Sequence, residues 1–200
     1  MTKLSTHLRT YLTLGLISTL ALLTGCSSTP PPKQTYDNIC YIFDHDRDWK
    51  SAANRSFKRW GTPPYILMAM VHQESRFKPH AQPARPYALG LIPLPRTSSA
   101  YGYSQAQDGT WSDYKKSTKR WSASRSDISD ALDFMGWYNY QSHKRLKISR
   151  KDPYKLYLAY HEGQGGYSRR TYLKKPWLQK VAKKVSKRSR MYQKQYKRCS

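Results

Sequence analysis

Acidic residues are scarce in this chain. Only 12 of its 200 residues are Asp or Glu, against 36 Lys and Arg, and the formal net charge is +24 with neutral histidines. Just two of the acids are glutamates, Glu74 and Glu162. So basic a surface favours polyanionic partners, although a simply solvated basic face is the alternative. With so few acids present, each glutamate becomes a candidate functional residue.

The chain also lacks an apolar run long enough to span a bilayer comfortably. The run in MTKLSTHLRTYLTLGLISTLALLTGC follows basic residues and ends in small residues before Cys26, which is the anatomy of a secretory signal. Its ending, LLTGC, resembles the bacterial lipoprotein signal, in which the cysteine is lipidated and becomes the new N-terminus. We expect residues 1–25 to be a lipoprotein signal peptide, with an uncleaved membrane anchor as the alternative.

The resemblance to lipoproteins also implies a location. Ser27 follows Cys26, where some lipoproteins carry an Asp that retains them at the inner membrane. We therefore expect the protein to contact a membrane through a lipid anchor on Cys26, at the periplasmic face of the outer membrane. Residues 26–39 are polar, Pro-rich and without apolar periodicity, which predicts a flexible tether.

Only three cysteines are present, which excludes a dense disulfide scaffold. With Cys26 lipidated, Cys40 and Cys199 remain, and they bracket almost all of the predicted domain, residues 40–200. An exported protein folds in an oxidising compartment, where such a pair usually forms a disulfide. Two buried free thiols are the alternative.

Sustained strand alternation is missing too, and apolar residues recur at helical spacing over most of the chain. The predicted helical segments are residues 46–61, 62–77, 108–121, 126–146, 152–163 and 175–199. Thr62 is the predicted N-cap of the second segment. Residues 78–107 contain five prolines and several glycines and serines, which predicts a long loop. The expected fold is all-α or mostly α, a single domain with a long Pro-rich loop.

Glu74 ends the apolar part of the second predicted helix. Ile66, Met70 and Glu74 are spaced by four, so Glu74 lies on a stripe that faces the protein interior. Burial disfavours the charged carboxylate and raises its pKa. A carboxyl group that is protonated near neutral pH is what a general acid requires. The alternative is an ordinary helix-terminal glutamate that reaches water.

Three short motifs follow one another: ESRF at residues 74–77, GYSQ at residues 102–105 and AYH at residues 159–161. As an ordered set they resemble the Glu-Ser, Gly-x-x-Gln and Ala-Tyr-Asn motifs of lysozyme-like lytic transglycosylases of the soluble lytic transglycosylase type. Two departures stand out. His161 replaces the usual Asn, and the Pro-rich segment lengthens the usual spacing between Glu74 and Gly102. The resemblance covers roughly residues 60–175 and implies a lysozyme-like domain.

That resemblance implies an activity. The enzyme would cleave the β-1,4 bond between N-acetylmuramic acid and N-acetylglucosamine in peptidoglycan glycan strands, with no cofactor and without water. Glu74 would protonate the leaving oxygen and then, as a carboxylate, take the proton of the muramyl 6-hydroxyl, which yields 1,6-anhydro ends. The residues expected to bind substrate are Ser75, Tyr103, Gln105, Tyr160 and His161.

Other functions remain open at this point. A lysozyme-like muramidase would need a second catalytic carboxylate, for which Glu162 and Asp108 are the candidates. A non-catalytic peptidoglycan-binding lipoprotein is a second alternative. Charge alone favours nucleic acid, but an export signal argues against that partner. No metal site is predicted, because the histidines show no ligand spacing. We expect a monomer.

Overall fold

The computed structural model describes residues 29–199, and most of them are helical. Seven α-helices occur in this part of the chain: α1 Ile39–His45, α2 Arg47–Trp60, α3 Pro64–Ser75, α4 Asp108–Thr118, α5 Ile128–Leu146, α6 Pro153–Ser168 and α7 Pro176–Tyr196. Short 3-10 helices occupy Lys33–Thr35 and Thr171–Lys174. The predicted mostly α fold is confirmed. The predicted signal peptide and Cys26 lie outside the described residues.

The Pro-rich loop between α3 and α4 contains the strands described in this part of the chain. Strands β1 Tyr87–Ala88 and β2 Ile92–Pro93 pair antiparallel, with Ala88 opposite Ile92. The loop therefore projects a small hairpin instead of being irregular throughout. Between residues 29 and 199, no helix is both long enough and apolar enough to cross a membrane.

Helix α3 is the central helix of the domain. Its residues 66–71 all have 0% exposed surface: Ile66, Leu67, Met68, Ala69, Met70 and Val71. The sequence predicted one buried stripe on this helix, but the helix is buried on all sides over these residues. A helix that is apolar on all sides is a core helix. Helix α7 packs against α3, and α2 packs against α5. Glu74, in the last turn of α3, is thus carried on the most enclosed helix.

The junction between α2 and α3 differs slightly from the prediction. Gly61 ends α2 in a left-handed conformation, with φ of 82°. Thr62 does not cap α3, because the N-cap is Pro63 and the helix begins at Pro64. Thr62 is instead fully buried, and its hydroxyl has no partner among the described residues. The chain therefore enters α3 through two prolines whose fixed φ suits the first turn.

The folded domain begins before Cys40. Asn38 caps α1 by accepting a hydrogen bond from the amide of Cys40. The Tyr36 side chain is buried, its hydroxyl donates to the carbonyl of Arg76 at 3.0 Å, and its ring centroid lies 5.3 Å from that of Phe77. The predicted tether, residues 26–39, is therefore too long, because its second half packs into the domain.

Cys40 and Cys199 form a disulfide, as the sequence predicts, with Cα atoms 5.2 Å apart. The bond joins α1 to the end of α7. Beside it, Gln195 accepts from the Ile39 amide at 3.0 Å and donates to the Asp37 carbonyl at 2.8 Å. The two ends of the domain are thus held together by a covalent bond and by hydrogen bonds. In the chain-entropy model, a disulfide that closes so long a loop contributes about 5 kcal/mol of stability.

Candidate active site

A cavity of ≈ 500 Å³ lies between α3, α5, α6 and the segment that leads into α4. It is lined by Glu74, Ser98, Ala100, Gln105, Ala106, Gln107, Thr110, Phe134, Tyr138, Tyr160, His161, Glu162 and Gly163. Aromatic rings, amides and two carboxyl groups therefore converge on one space. Its volume falls in the range typical of ligand sites, about 300 to 1,000 Å³.

The ESRF motif places Glu74 at the end of α3 and anchors that end. The two residues after the helix, Arg76 and Phe77, both have left-handed backbones, with φ of 51° and 61°. Such conformations are unfavourable for residues other than glycine and persist where packing enforces them. Phe77 is fully buried, with its ring centroid 5.7 Å from that of Trp49. We infer that Phe77 holds the helix end, and so the position of Glu74.

Glu74 is partly exposed at the cavity, but one oxygen of its carboxyl group is shielded from solvent. Burial raises the pKa of Glu74 to about 7, and a hydrogen bond with the Tyr157 hydroxyl offsets only part of that shift. Its Oε1 atom is buried and has no hydrogen-bond partner among residues 29–199. A carboxyl with such a pKa is protonated in a large fraction of molecules at neutral pH. It can therefore donate a proton to an oxygen that enters the cavity.

Two tyrosines of α6 lie three residues apart and so share a face of the helix. Tyr157 is 3% exposed, and its hydroxyl forms the hydrogen bond with Glu74. Tyr160 lines the cavity, but its hydroxyl donates to the Ser104 carbonyl at 2.6 Å. The motif residue Tyr160 thus positions the GYSQ turn. Tyr157 was missed from the sequence, although its spacing from Tyr160 was a signal that could have found it.

The GYSQ motif is a tight turn that brings Gln105 to the cavity. Gly102 has φ of 76°, and a Cβ atom there would lie 2.1 Å from the Arg125 carbonyl, so only glycine fits. Gln105 is also left-handed, with φ of 50°. Its Nε2 donates to the carbonyls of Ala81 and Gly102 at 2.8 and 2.9 Å. The side-chain amide therefore braces the loop, and Oε1 remains as its acceptor.

Ser75 and Tyr103 are not at the cavity. Ser75 is 5% exposed, and its hydroxyl donates to the Val71 carbonyl at 3.2 Å within α3. Tyr103 is fully buried, with its ring centroid 5.7 Å from that of Trp49. The structure corrects the substrate-binding roles predicted for both residues, because they pack in the interior. Of the other predicted binding residues, Gln105, Tyr160 and His161 do line the cavity.

Glu162 is the second carboxyl group at the cavity, and it is held by several partners. Its side chain is 2% exposed, and its Oε1 lies 2.8 Å from Lys175 Nζ and 3.5 Å from His161 Nδ1. The Thr171 hydroxyl donates to Oε2. Burial by itself would raise the pKa of Glu162, but hydrogen bonds from Lys175 and Thr171 outweigh it and lower the pKa. Glu162 is therefore ionised at neutral pH.

The environments of Glu74 and Glu162 shift their pKa values in opposite directions, a pattern typical of paired groups with different roles. Asp108, the other candidate for a second carboxylate, does not line this cavity. Its side chain is 69% exposed, and it pairs with Arg125 at 2.8 Å.

Helix α6 is kinked directly after Glu162. Gly163 leaves the helical conformation there, with φ of 72° and ψ of 157°.

A second cavity, of ≈ 540 Å³, lies between α3 and α7 and is basic. The cationic side chains that line it are Arg76, Lys184, Lys187 and Arg188. The acid in its lining, Asp37, pairs with Arg188 at 2.8 Å. This cavity therefore offers no buried acid for catalysis. Nowhere in the described chain do three or more His, Cys, Asp or Glu side chains form a group that could hold a metal ion.

A mostly α domain with a cavity lined by a glutamate of raised pKa is consistent with a lysozyme-like, glycan-cleaving class of protein. The family profile described as Transglycosylase SLT domain matches residues 14–199, and the chain belongs to this family. Searches of curated proteins and of solved structures found no match. Membership supports lytic transglycosylase activity on peptidoglycan in general.

Proposed function

We propose that this protein is a lytic transglycosylase that cleaves the β-1,4 bond between N-acetylmuramic acid and N-acetylglucosamine and leaves 1,6-anhydromuramyl ends. The observation that carries the proposal is Glu74: its pKa is raised to about 7, its Oε1 is unpartnered among the described residues, and it lines the cavity. One group that gains and loses a proton near neutral pH can serve as acid and then as base.

In the proposed reaction, protonated Glu74 donates its proton to the glycosidic oxygen while the bond from that oxygen to the muramyl C1 breaks. The 6-hydroxyl oxygen of the same muramyl residue bonds to C1. The Glu74 carboxylate then takes the hydroxyl proton, so the carboxyl group is restored and no water is consumed. The Tyr157 hydroxyl stabilises the carboxylate that exists between the two proton transfers, since this interaction lowers the pKa of Glu74.

Gln105 and His161 are the residues we propose for substrate binding. Gln105 keeps Oε1 available to accept a hydrogen bond from an N-acetyl N–H or a hydroxyl group, because its Nε2 is bound to backbone carbonyls. His161 has Nδ1 directed at Glu162 and its ring edge-on to Trp177, with centroids 5.1 Å apart. Its Nε2 is thus the ring nitrogen left for substrate, in the place of the usual Asn amide.

Hydrolysis with a second carboxylate is the alternative, and one observation favours it: ionised Glu162 lines the same cavity as Glu74. A general base, however, needs an oxygen that can accept a proton from water. The two oxygens of Glu162 accept hydrogen bonds from Lys175 and Thr171. We therefore propose that Glu162 orients His161 and fixes the end of α6, and that it does not activate water.

For location, we propose lipidation of Cys26 and attachment to the periplasmic face of the outer membrane, on the strength of the LLTGC sequence. The described chain begins at Thr29, whose carbonyl oxygen lies 3.1 Å from His45 Nε2, and the 3-10 helix Lys33–Thr35 follows. At about 3.5 Å per residue, the chain from Cys26 to Lys33 spans roughly 25 Å at most. The domain would then work close to the membrane. A tether that extended to residue 39 would allow it to work farther away.

Mass spectrometry of digested peptidoglycan tests the proposal. We expect muropeptides that end in 1,6-anhydromuramic acid, lighter by one water than hydrolysed ends, and none with Glu74→Gln. Hydrolysed ends would show a muramidase instead. Binding to intact sacculi without any cleavage by the wild-type protein would show a non-catalytic wall-binding protein.

A further inference from the structure

The hairpin in the Pro-rich loop exposes a cluster of large apolar side chains. Ten large hydrophobic residues are exposed in the described chain, and five of them lie in the hairpin. These five are Tyr87 at 56%, Leu89 at 91%, Leu91 at 84%, Ile92 at 58% and Leu94 at 41%. Scattered apolar residues are normal on a surface, but a contiguous cluster marks a contact with another molecule or with a membrane.

The turn of the hairpin makes Leu89 hard to explain by local structure. The Leu91 amide donates to the Ala88 carbonyl at 3.1 Å, so Leu89 and Gly90 are the central residues of the turn. Their φ values are 51° and 73°, the signs of a type I′ turn, in which Asn-Gly is strongly preferred. A leucine here is strained and is also almost fully exposed. Neither its conformation nor burial within the domain accounts for it.

The apolar side chains cover both faces of the hairpin. Neighbouring residues of a strand point to opposite faces, so Leu91 and Ile92 lie on different sides. A strand that docks on a protein needs only one apolar face, whereas a tip that is apolar on both sides needs apolar surroundings on both sides. The acyl boundary of a lipid bilayer provides such surroundings.

The charges at the base of the hairpin also suit a lipid surface. Arg85 and Arg96 are exposed on either side of the apolar tip, and the acid that lines a cavity with them, Asp108, pairs with Arg125 at 2.8 Å. Basic residues next to an apolar insertion are attracted by anionic lipid headgroups and keep their charged ends in the headgroup layer. The apolar tip and its basic flanks thus match the two layers of a bilayer surface.

Several backbone N–H groups of the hairpin segment are either absent or already paired. Unsatisfied N–H groups are costly in a membrane, but Pro86, Pro93 and Pro95 have none. Among the remaining amides, Leu91 donates to Ala88 and Leu94 donates to the Pro86 carbonyl at 2.9 Å. The prolines of this loop therefore serve an apolar insertion better than ordinary strand residues would.

We propose that residues 85–96 form a membrane contact, in which the tip around Leu89 and Leu91 enters the acyl boundary of an anionic bilayer while Arg85 and Arg96 bind its phosphates. This contact is separate from a lipid anchor on Cys26 and from catalysis. The loop continues directly to Ser98 and Ala100, which line the cavity that holds Glu74. Insertion of the tip would therefore hold one wall of the cavity at the membrane.

A local fluorescent probe tests this contact in the full chain. The chain carries Cys26→Ala, which prevents acylation and removes the unpaired thiol, and Leu91→Cys labelled with a polarity-sensitive dye. The control label replaces Leu173, which is 57% exposed in the 3-10 helix Thr171–Lys174. With vesicles of phosphatidylethanolamine and phosphatidylglycerol, we expect a blue shift and quenching by lipid-borne quenchers at position 91 and neither at position 173.

Two further variants sharpen the test. Leu89→Asn suits the turn and removes the apolar tip, so the labelled hairpin should stay folded and lose at least ten-fold in its vesicle-dependent signal. Replacing Arg85 and Arg96 by Gln should weaken the signal as added salt does. If the protein sediments with vesicles but the emission of the dye at position 91 is unchanged, the proposal is overturned. So does a blue shift without lipid that grows with protein concentration, since a second copy then covers the tip.

Discussion

The Tyr160 hydroxyl donates a 2.6 Å hydrogen bond to the Ser104 carbonyl and so joins α6 to the GYSQ turn. Through this bond, two motifs that are far apart in the chain form one wall of the cavity. Gln105 follows Ser104, and Tyr157 lies one helical turn before Tyr160. The position of Gln105 and the surroundings of Glu74 are therefore coupled through a single side chain.

Glu74→Gln should abolish cleavage of peptidoglycan while the protein stays folded. Gln keeps the shape of the side chain but cannot cycle a proton, and acid–base catalysis contributes about 10²- to 10⁴-fold in rate. Release of soluble muropeptides from purified sacculi gives the rate, and circular dichroism checks the fold. Near-normal cleavage by a folded Gln variant would show that Glu74 is not the acid.

Tyr157→Phe should move the alkaline limb of the pH–rate profile to higher pH. Cleavage requires protonated Glu74, so activity falls as the pH rises through its pKa, about 7. The Tyr157 hydroxyl lowers that pKa, and its removal therefore raises it. Tyr138→Phe is the matched control, because Tyr138 lines the same cavity and its hydroxyl donates to the Ala159 carbonyl. An unmoved limb in Tyr157→Phe would exclude the predicted interaction.

The free energy of unfolding should contain a pH-dependent contribution from Glu74, which Glu74→Gln removes. Burial raises the folded-state pKa of Glu74 from 4.5 to about 7. Below pH 4.5 Glu74 is protonated in both states, and between the two values only the unfolded chain ionises, so the contribution of Glu74 to stability falls as the pH rises and then levels off. At pH 8, Glu74→Gln should be more stable than wild type by up to about 3 kcal/mol.

The same measurement on Glu162→Gln provides the opposite control. The pKa of Glu162 is lowered in the folded protein by Lys175 and Thr171 despite burial. Its contribution to stability is therefore present above the unfolded pKa and is lost as the pH falls through the folded one. Denaturant unfolding at pH 4, 6 and 8 compares the variants. Equal pH dependence in the Glu74→Gln and wild-type proteins would rule out a raised pKa at Glu74.

Glu162→Gln should retain measurable activity and still produce anhydro ends. Attack by the muramyl 6-hydroxyl requires only one proton-cycling carboxyl group, and Glu162 is held by Lys175 and Thr171. A moderate loss is expected, because His161 loses its charged neighbour. Product analysis by mass spectrometry separates the mechanisms. A folded variant as inactive as Glu74→Gln would favour a hydrolase with two carboxylates.

Thiol labelling of the denatured, unreduced Cys26→Ala protein should find no free cysteine, because Cys40 and Cys199 are bonded. After reduction, both cysteines should label. The free energy of unfolding, measured by urea denaturation, should fall by a few kcal/mol, near the value of about 5 kcal/mol that the chain-entropy argument gives. Full labelling without reductant would contradict the disulfide. The double variant Cys40→Ser, Cys199→Ser separates loss of the bond from chemical effects of the reductant.

The sequence by itself determined the helical fold and the choice of Glu74 as the proposed acid. Apolar spacing and helix-ending residues such as Gly61 act over a few residues, so they are readable without a structure. Glu74 was predicted to face the interior for the same reason, since it lies on one helical stripe with Ile66 and Met70. The ordered motifs also indicated Gln105 and Tyr160, because local turn and helix geometry carries both to the cavity.

Only the tertiary structure decided which neighbours those residues have. The partners Tyr157 of Glu74 and Lys175 of Glu162 come from other helices or lie across a kink, and local periodicity does not report such contacts. Ser75 and Tyr103 belong to the motifs, yet they point into the interior, because packing around α3 and Trp49 sets their directions. The sequence shows that residue 89 is an apolar leucine. Only the folded hairpin shows that Leu89 packs into no core within the described chain.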